Sequence, residues 1–348
     1  MTVQGLVLYY TMRCNAACAH CGVWSSPDRR ERMSLSQAQR YIEHLAARGR
    51  AKVVVFVGGE PLLHLDDICT LIAYTRSFDI ATQVSTNAFW AATAAAARRT
   101  VERLATAGLD HLALSADAYH AEFIDPKNVG RAFDAAREFG LIRKLQVIRS
   151  SASEEGDELF AATGIDPAEV IDHVVFKLNR YNPDFNAKQY IILNRHWVAP
   201  FGRGAFLKGH VALKGLDDLD DVPCFMVRKF PIVYPDGSFY TCCCTAGFFK
   251  QYKVGNLETD SLATLDERMA SNEVYEAISK VGPVRLAKMV HAASGESSQA
   301  RYANPCHACR DLLSRSDPAQ LESSARTVVF LHKLLSGDSA DTPFDELV

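Results

Sequence analysis

The 348-residue sequence has no apolar run long enough to cross a bilayer and no basic-then-apolar segment near its N-terminus. A membrane or secreted protein is therefore not expected, and the chain reads as cytoplasmic. Excess charge is missing too: 38 Lys and Arg face 41 Asp and Glu. No basic stripe points to nucleic acid. Internal repeats and low-complexity tracts are absent, while the length suffices for a sizeable core in one large domain or two. Cysteine is in good supply, with ten residues. In a cytoplasmic chain that number argues for metal binding or redox chemistry rather than disulfides.

Three of the cysteines stand in Cys14-Asn-Ala-Ala-Cys18-Ala-His-Cys21, directly behind the strand-like run Leu6 to Tyr10. Three thiolates on one tight loop can hold three irons of a cubane cluster and leave the fourth open for chemistry. A zinc knuckle or a set of structural thiols is the plainer reading of the same spacing. A second motif, Gly58-Gly59-Glu60-Pro61, closes the strand-like run Val53–Val57, 37 residues after Cys21. Paired glycines let backbone approach a ligand closely, and carbonyls with a carboxylate can accept from an ammonium. The C-x3-C-x2-C loop and GGEP together resemble the radical SAM superfamily. That resemblance implies a [4Fe–4S] cluster held by Cys14, Cys18 and Cys21, with S-adenosylmethionine (SAM) on the open iron and its amino group at Gly58–Pro61.

From residue 6 to about 200, strand-like and helix-like segments alternate. Strands are expected at Leu6–Tyr10, Val53–Val57, Ala81–Ser85, His111–Ser115 and Leu145–Arg149, with a sixth in either Val174–Leu178 or Tyr190–Val198. Ser36 with Gln39 makes a capping box for a helix carrying Ala38, Tyr41, Ile42 and Leu45 at helical spacing. Ala91–Ala107 reads as another helix. Repeated βα units imply a parallel α/β sheet with right-handed crossovers and a site at the strands' C-terminal ends. The family resemblance implies a partial (β/α)6 TIM-like barrel over residues 1–207.

The same resemblance populates a SAM pocket. Ser85, Thr86 and Asn87 end the third strand, where the family places ribose contacts. Ser115 ends the fourth and would face the methionyl carboxylate or ribose. Arg149 ends the fifth and could pair with that carboxylate, and His20 precedes the third cysteine, where adenine packs. Pro200-Phe201-Gly202-Arg203 resembles a family turn near the last barrel strand. Strand-end caps, a surface salt bridge for Arg149, and ordinary loop roles for Tyr119 and His120 are the competing readings.

After residue 207 the pattern changes. Pro231–Pro235, Asp236-Gly237 and Ser238–Cys242 form a hairpin signature, followed by helices, a C-x2-C at Cys306 and Cys309, and an amphipathic helix over 318–335 before a polar tail. Cys224, Cys242, Cys306 and Cys309 have metal-site arithmetic, for which zinc is the generic occupant. Their order resembles the twitch domain, a shorter relative of SPASM, implying a small α+β domain over 208–317 that holds an auxiliary [4Fe–4S] cluster, with 318–348 as C-terminal helix and tail. Along a strand Cys242 and Cys244 face one side and Cys243 the other. The resemblance implies that Cys243 or Cys244 gives hydrogen to a substrate radical; packing in the hairpin core is the alternative.

As a radical SAM enzyme the chain would take one electron from an external reductant such as flavodoxin or ferredoxin. It would cleave SAM to a 5′-deoxyadenosyl radical and abstract hydrogen from carbon. A ribosomally made peptide is the favoured substrate, with epimerisation leading and oxidative cross-linking next. Because a strand begins near residue 6, no fused N-terminal peptide-recognition domain is expected. The alternatives are a dehydrogenase or epimerase of a small carbohydrate-like metabolite and, more remotely, a non-catalytic iron–sulfur electron carrier.

Overall fold

A computed structural model describes residues 3–149, 157–179, 182–207, 213–242, 253–294 and 300–336. The chain divides into two units, one built from residues 4–211 with 232–238, the other from 1–3, 212–231 and 239–348.

In the first unit strands and helices alternate. They run β1 (Gly5–Thr11), α1 (Leu35–Ala46), β2 (Val53–Gly58), α2 (Leu65–Arg76), β3 (Ala81–Thr86), α3 (Ala94–Thr106), β4 (His111–Ser115), α4 (Ala118–Ala121), α5 (Lys127–Glu138) and β5 (Ile142–Arg149). There follow α6 (Asp157–Thr163), β6 (Val170–Asp172), α7 (His173–Asn179), β7 (Ile191–Trp197) and, after an excursion, β8 (Ile232–Val233). The strands lie in the order β8-β1-β2-β3-β4-β5-β7-β6. Every pairing in that series is parallel. This is the α/β architecture that the alternating pattern predicts.

Side-chain alternation divides the sheet into two faces. Val54, Phe56, Val84, Leu112, Leu114 and Leu145 are fully buried. Their neighbours Val55, Gln83, Ser85, His111, Lys144 and Gln146 are only partly so. The first set is an apolar core; the second leaves a more polar inner face.

Several local expectations shift. The capping box of α1 is Ser34 with Gln37, not Ser36 with Gln39. Starting two residues earlier still buries Ala38, Tyr41, Ile42 and Leu45. The sixth long strand is β7, at Ile191–Trp197, and Val174–Leu178 lies in α7. β5 begins at Ile142 rather than Leu145, because Arg143 satisfies its charge on Glu169 (3.0 Å) and the Gln189 carbonyl (3.0 Å). The first hairpin arm, β8, pairs parallel with β1. Its Asp-Gly turn is as expected, with Gly237 at φ 79° donating to the Tyr234 carbonyl.

β9 (Ser238–Tyr240) begins at the last residue of the first unit, and in the second unit β10 (Lys253–Asn256) precedes α8 (Leu262–Ala270), α9 (Glu273–Lys280), α10 (Pro283–Ser294), α11 (Pro305–Arg315) and α12 (Pro318–Ser336). One apolar core joins Val274, Ile278, Val284, Leu312, Leu321 and Val328. The terminal helix, expected as a separate segment from 318, is thus part of that core. Arg326 also ties it to Glu273 at 2.7 Å. Among the described residues no helix is long and apolar enough to cross a membrane.

Candidate functional site

The loop after β1 carries Cys14, Cys18 and Cys21, and several elements grip its backbone. The last residues of β2 approach so closely that a Cβ on Gly58 or Gly59 would lie 2.1 Å from the Thr11 or Arg13 carbonyl oxygen. Glycine is required at both positions, and Gly58 also has φ 151°. Those contacts carry hydrogen bonds from Gly59 N to Thr11 O (2.7 Å) and Glu60 N to Arg13 O (2.8 Å). From β3, the Asn87 amide donates to Asn15 Oδ1 (2.9 Å) and reaches Cys14 Sγ (3.9 Å). After β7, Arg203 donates through Nε to the Cys18 carbonyl (2.9 Å) and through Nη2 to the Ser25 carbonyl (2.7 Å). Arg203 N donates to Cys21 O (3.0 Å), and Gly202 fits against that carbonyl where a Cβ would stand 2.4 Å away. The Pro200–Arg203 turn is a clamp on the cysteine loop.

Cys14 and Cys18 are buried, and Cys21 is partly exposed. Burial pushes both buried thiols up to about 12, reinforced for Cys14 by Glu60 and Cys21 and for Cys18 by its cysteine neighbours and Asp117. Without a cation the two buried thiols would stay protonated; a metal centre is the natural means of deprotonating them. Among the described residues, His20, Asp117 and His120 are the group of three whose ligand atoms come within 4.8 Å of one another. A single tetrahedral zinc would draw its sulfurs to about 3.8 Å, from Zn–S bonds of about 2.3 Å. Cys14, Cys18 and Cys21 do not gather that tightly, nor do Cys224, Cys242, Cys306 and Cys309.

Beside the loop, a cavity of about 170 Å³ opens at the ends of β3 and β4. Asn87, Ser115, Asp117 and His120 line one side, and Glu158 and Leu159 of α6 another. Asp117 organises this corner. Its Oδ1 accepts from Tyr119 N (3.1 Å) and His120 N (3.0 Å), and its Oδ2 contacts Ile148 N (3.3 Å) and His120 Nδ1 (2.9 Å). Burial raises its carboxyl, but His120, those bonds and His20 outweigh this and hold it below the usual range. Burial pushes the His20 imidazole down to about 4. Its ring packs on Tyr119 and His120, and Nδ1 has no hydrogen-bond partner among the described residues. A neutral imidazole with a bare ring nitrogen suits an adenine edge. Asp117 escaped the sequence reading, although Asp117 just ahead of Ala118-Tyr119-His120 is an N-cap signature.

Two of the residues expected to contact ligand already have partners within the fold. Glu60 is wholly buried; Oε1 accepts from Leu62 N (3.0 Å) and Thr86 Oγ1 (2.8 Å), and Oε2 from Asn87 N (2.8 Å). It braces the end of β2 against the end of β3. Thr86 is likewise consumed, since its hydroxyl also accepts from Trp90 Nε1 (3.0 Å). Pro61 starts the short helical turn that follows Glu60. Ser85 lies on the inner face of β3, away from the hydrogen-bonded group at Glu60. Arg149 lies flat on Trp197 (4.6 Å), with Nε lacking a partner among the described residues, so a carboxylate-accepting edge is available.

In the second unit, Cys306 and Cys309 lie one turn apart at the start of α11, which is capped by Asn304. Cys242 and Cys309 belong to the core, and Cys224 packs against it, its N donating to the Ile278 carbonyl (3.0 Å). Cys242 and Cys309 both act electrostatically on the Tyr275 hydroxyl, which burial and these thiols raise. Cys243 and Cys244 lie outside the described residues.

A parallel α/β sheet with a three-cysteine loop at the C-terminal end of its first strand is the frame of one protein class. Residues 8–147 match the family model described as "Radical SAM superfamily", and this stretch is a radical SAM superfamily domain. Over 127 residues the chain is 24% identical to "Putative peptide biosynthesis protein YydG" of Bacillus subtilis (strain 168). It is 30% identical, again over 127 residues, to "Fe-coproporphyrin III synthase" of Methanosarcina barkeri (strain Fusaro / DSM 804). Each alignment takes in 36% of this chain, and it covers 40% and 30% of those relatives. The fold is similar to SuiB of Streptococcus suis bound to precursor peptide SuiA. The TM-score is 0.54 at 15% identity, over 88% of this chain and 76% of that one. The SAM-bound SuiB structure gives 0.52 at 16%, over 82% and 74%.

Proposed function

We propose that the chain is a radical SAM enzyme that abstracts hydrogen from a carbon of a ribosomally made peptide. The carrying observation is the Cys14–Cys21 loop, gripped by Gly58-Gly59, Asn87 and Arg203 beside a cavity whose wall includes Asn87, Ser115, Asp117 and His120. When bound, a reduced [4Fe–4S] cluster and SAM supply a 5′-deoxyadenosyl radical able to attack unactivated carbon. The residues do the rest. Cys14, Cys18 and Cys21 hold the cluster, the backbone at Gly58 and Gly59 faces the methionyl ammonium, and Arg149 offers its guanidinium edge to a carboxylate. His20 and Ser115 face the nucleoside. The parallel sheet is then the partial (β/α)6 barrel, whose wall would shield the radical from quenching water.

The second unit is the twitch domain, with Cys224, Cys242, Cys306 and Cys309 holding an auxiliary [4Fe–4S] cluster. The likeness to a peptide biosynthesis protein and to a precursor-peptide complex supports a peptide substrate. Epimerisation is the favoured reaction, with Cys243 or Cys244 returning the hydrogen and flavodoxin or ferredoxin supplying electrons.

Anaerobically reconstituted protein, reduced and given SAM, is expected to release 5′-deoxyadenosine. A full cluster with intact SAM would overturn the reading. Turnover of a precursor peptide in deuterated water then identifies the reaction. One deuterium at an inverted carbon, lost in Cys243→Ala or Cys244→Ala, marks epimerisation, and a two-electron mass loss marks oxidation or cross-linking.

A further inference from the structure

We propose that the inner face of the sheet contains a carboxylate-binding site centred on Lys144, which anchors the substrate of the reaction proposed above and so rests on that reading. Lys144 sits in β5 opposite Ala113 of β4 and Ile192 of β7. Its ammonium donates to Gln83 Oε1 at 2.8 Å, and no carboxylate among the described residues pairs with it. His111 of β4 and His173 of α7 lie within electrostatic reach. Burial, with Lys144 adding to it, pushes His111 down to about 3. Burial, with Lys177 and Lys144, pushes His173 down to about 4. Both rings are therefore neutral, and their Nδ1 atoms lack hydrogen-bond partners among the described residues. The nearby acid, Asp172, is taken up by Arg195 (3.2 Å) and by Val174 N (2.9 Å).

One ammonium, one carboxamide and two neutral imidazoles thus lie near one another, and among the described residues no carboxylate pairs with the ammonium. Charge removed from water costs several kcal/mol unless something answers it. Burial pushes Lys144 down to about 8, so it remains cationic at neutral pH. A carboxylate matches this set: one negative charge, met by one cation and neutral donors. A phosphate dianion would bring two charges to a single ammonium and leave one of them unmet.

Location connects the anchor to the radical chemistry. Ser85, Ser115, Gln146 and Asn194 continue the same face towards the strands' C-terminal ends, with Ser115 opposite Gln146 and Gln146 opposite Asn194. Ser115, which lines the cavity, lies two residues beyond Ala113, roughly 7 Å along the strand at about 3.3 Å per residue. A substrate gripped at Lys144 would extend over this polar ladder and present a carbon near the nucleoside.

Three small probes test the site on the reconstituted holoprotein without turnover, by ligand-observed NMR titration: N-acetylaspartate amide, N-acetylalanine and N-acetylasparagine amide. At least one carboxylate probe should bind saturably and about tenfold or more tighter than the asparagine control, the scale of a charge-assisted hydrogen bond. Preference for the aspartate probe marks an acidic side chain as the natural anchor; preference for N-acetylalanine marks a free C-terminus. The advantage should vanish in Lys144→Met. It should also vanish in Gln83→Glu, which keeps the lysine and gives it a resident partner. Equal binding of acid and amide, absence of binding by either acid, or an undiminished advantage in both variants would overturn the proposal. Release of 5′-deoxyadenosine without substrate is measured in parallel and should be unchanged in both variants. Loss of anion binding and loss of SAM cleavage are thus separate outcomes.

Discussion

The two cysteine sets are held in opposite ways. Cys14, Cys18 and Cys21 share one short loop, and the surrounding fold reaches in to fix its backbone through Gly58, Gly59, Asn87 and Arg203. Cys224, Cys242 and Cys309 come from three separated stretches and join one apolar core with Tyr275 and Ile278, while Cys306 stands one turn before Cys309 on α11. The first set is a preformed grip. The second is a by-product of tertiary packing, so metal binding there would be coupled to folding of its unit.

The largest expected effect separates the sets. Cys14→Ala should abolish 5′-deoxyadenosine formation and remove the iron of the first centre. Cys306→Ala should lose the auxiliary iron and the substrate product while SAM cleavage without substrate persists. Iron analysis and chromatography of 5′-deoxyadenosine read both outcomes, and equal loss of SAM cleavage in the two variants would break the comparison. Next comes Gly59→Ala, which drives a Cβ to 2.1 Å from the Arg13 carbonyl. Overpacking of this kind costs roughly 1–3 kcal/mol. The cluster loop should shift with it, so both the urea midpoint and iron retention should fall.

The same contrast decides what could be read in the sequence. The cysteine loop and GGEP depend on local spacing, and the strands flanking them follow from apolar runs such as Val53–Val57. Partners far apart in sequence left no such trace. Arg203 reaches 185 positions back to Cys18. Glu60 gives its carboxylate to the end of β3, where the motif by itself suggests a ligand. Arg143 and Lys144 look like the charged lead-in to a strand. In the fold they are strand residues on opposite faces, one buried against Glu169 and one on the inner face beside Gln83. The first β8 arm reads as a local hairpin because pairing with β1, more than 220 positions earlier, has no sequence signal.

A more moderate effect tests the clamp. Arg203→Lys keeps the charge but cannot serve both the Cys18 and Ser25 carbonyls as one planar fork. SAM cleavage should slow by roughly tenfold, the equivalent of about 1.4 kcal/mol. Iron content should stay near wild type, because all three thiols remain. A rate unchanged within error would show that the loop holds its shape without the fork.

The last effect runs in the stabilising direction and bears on the inner face rather than on either cysteine set. Lys144 is depressed from the ordinary lysine value to about 8 by burial, so it titrates in the folded chain before it does in the unfolded one. Below about 8 both states carry the proton, and the full cost of burying the charge is present. Between about 8 and the ordinary lysine value, near 10.4, the unfolded state binds more protons, so stability rises with pH and the cost is relieved. Lys144→Met should therefore stabilise the protein at pH 7 by about 1–3 kcal/mol, within the range seen when a buried ion pair is replaced by apolar volume. That gain should shrink as pH climbs from 8 towards 10.4. Urea unfolding of both proteins at pH 7 and pH 9.5 measures it. A variant less stable than wild type at pH 7 would mean that Gln83, His111 and His173 already satisfy the ammonium, leaving no unmet charge for a substrate carboxylate to answer.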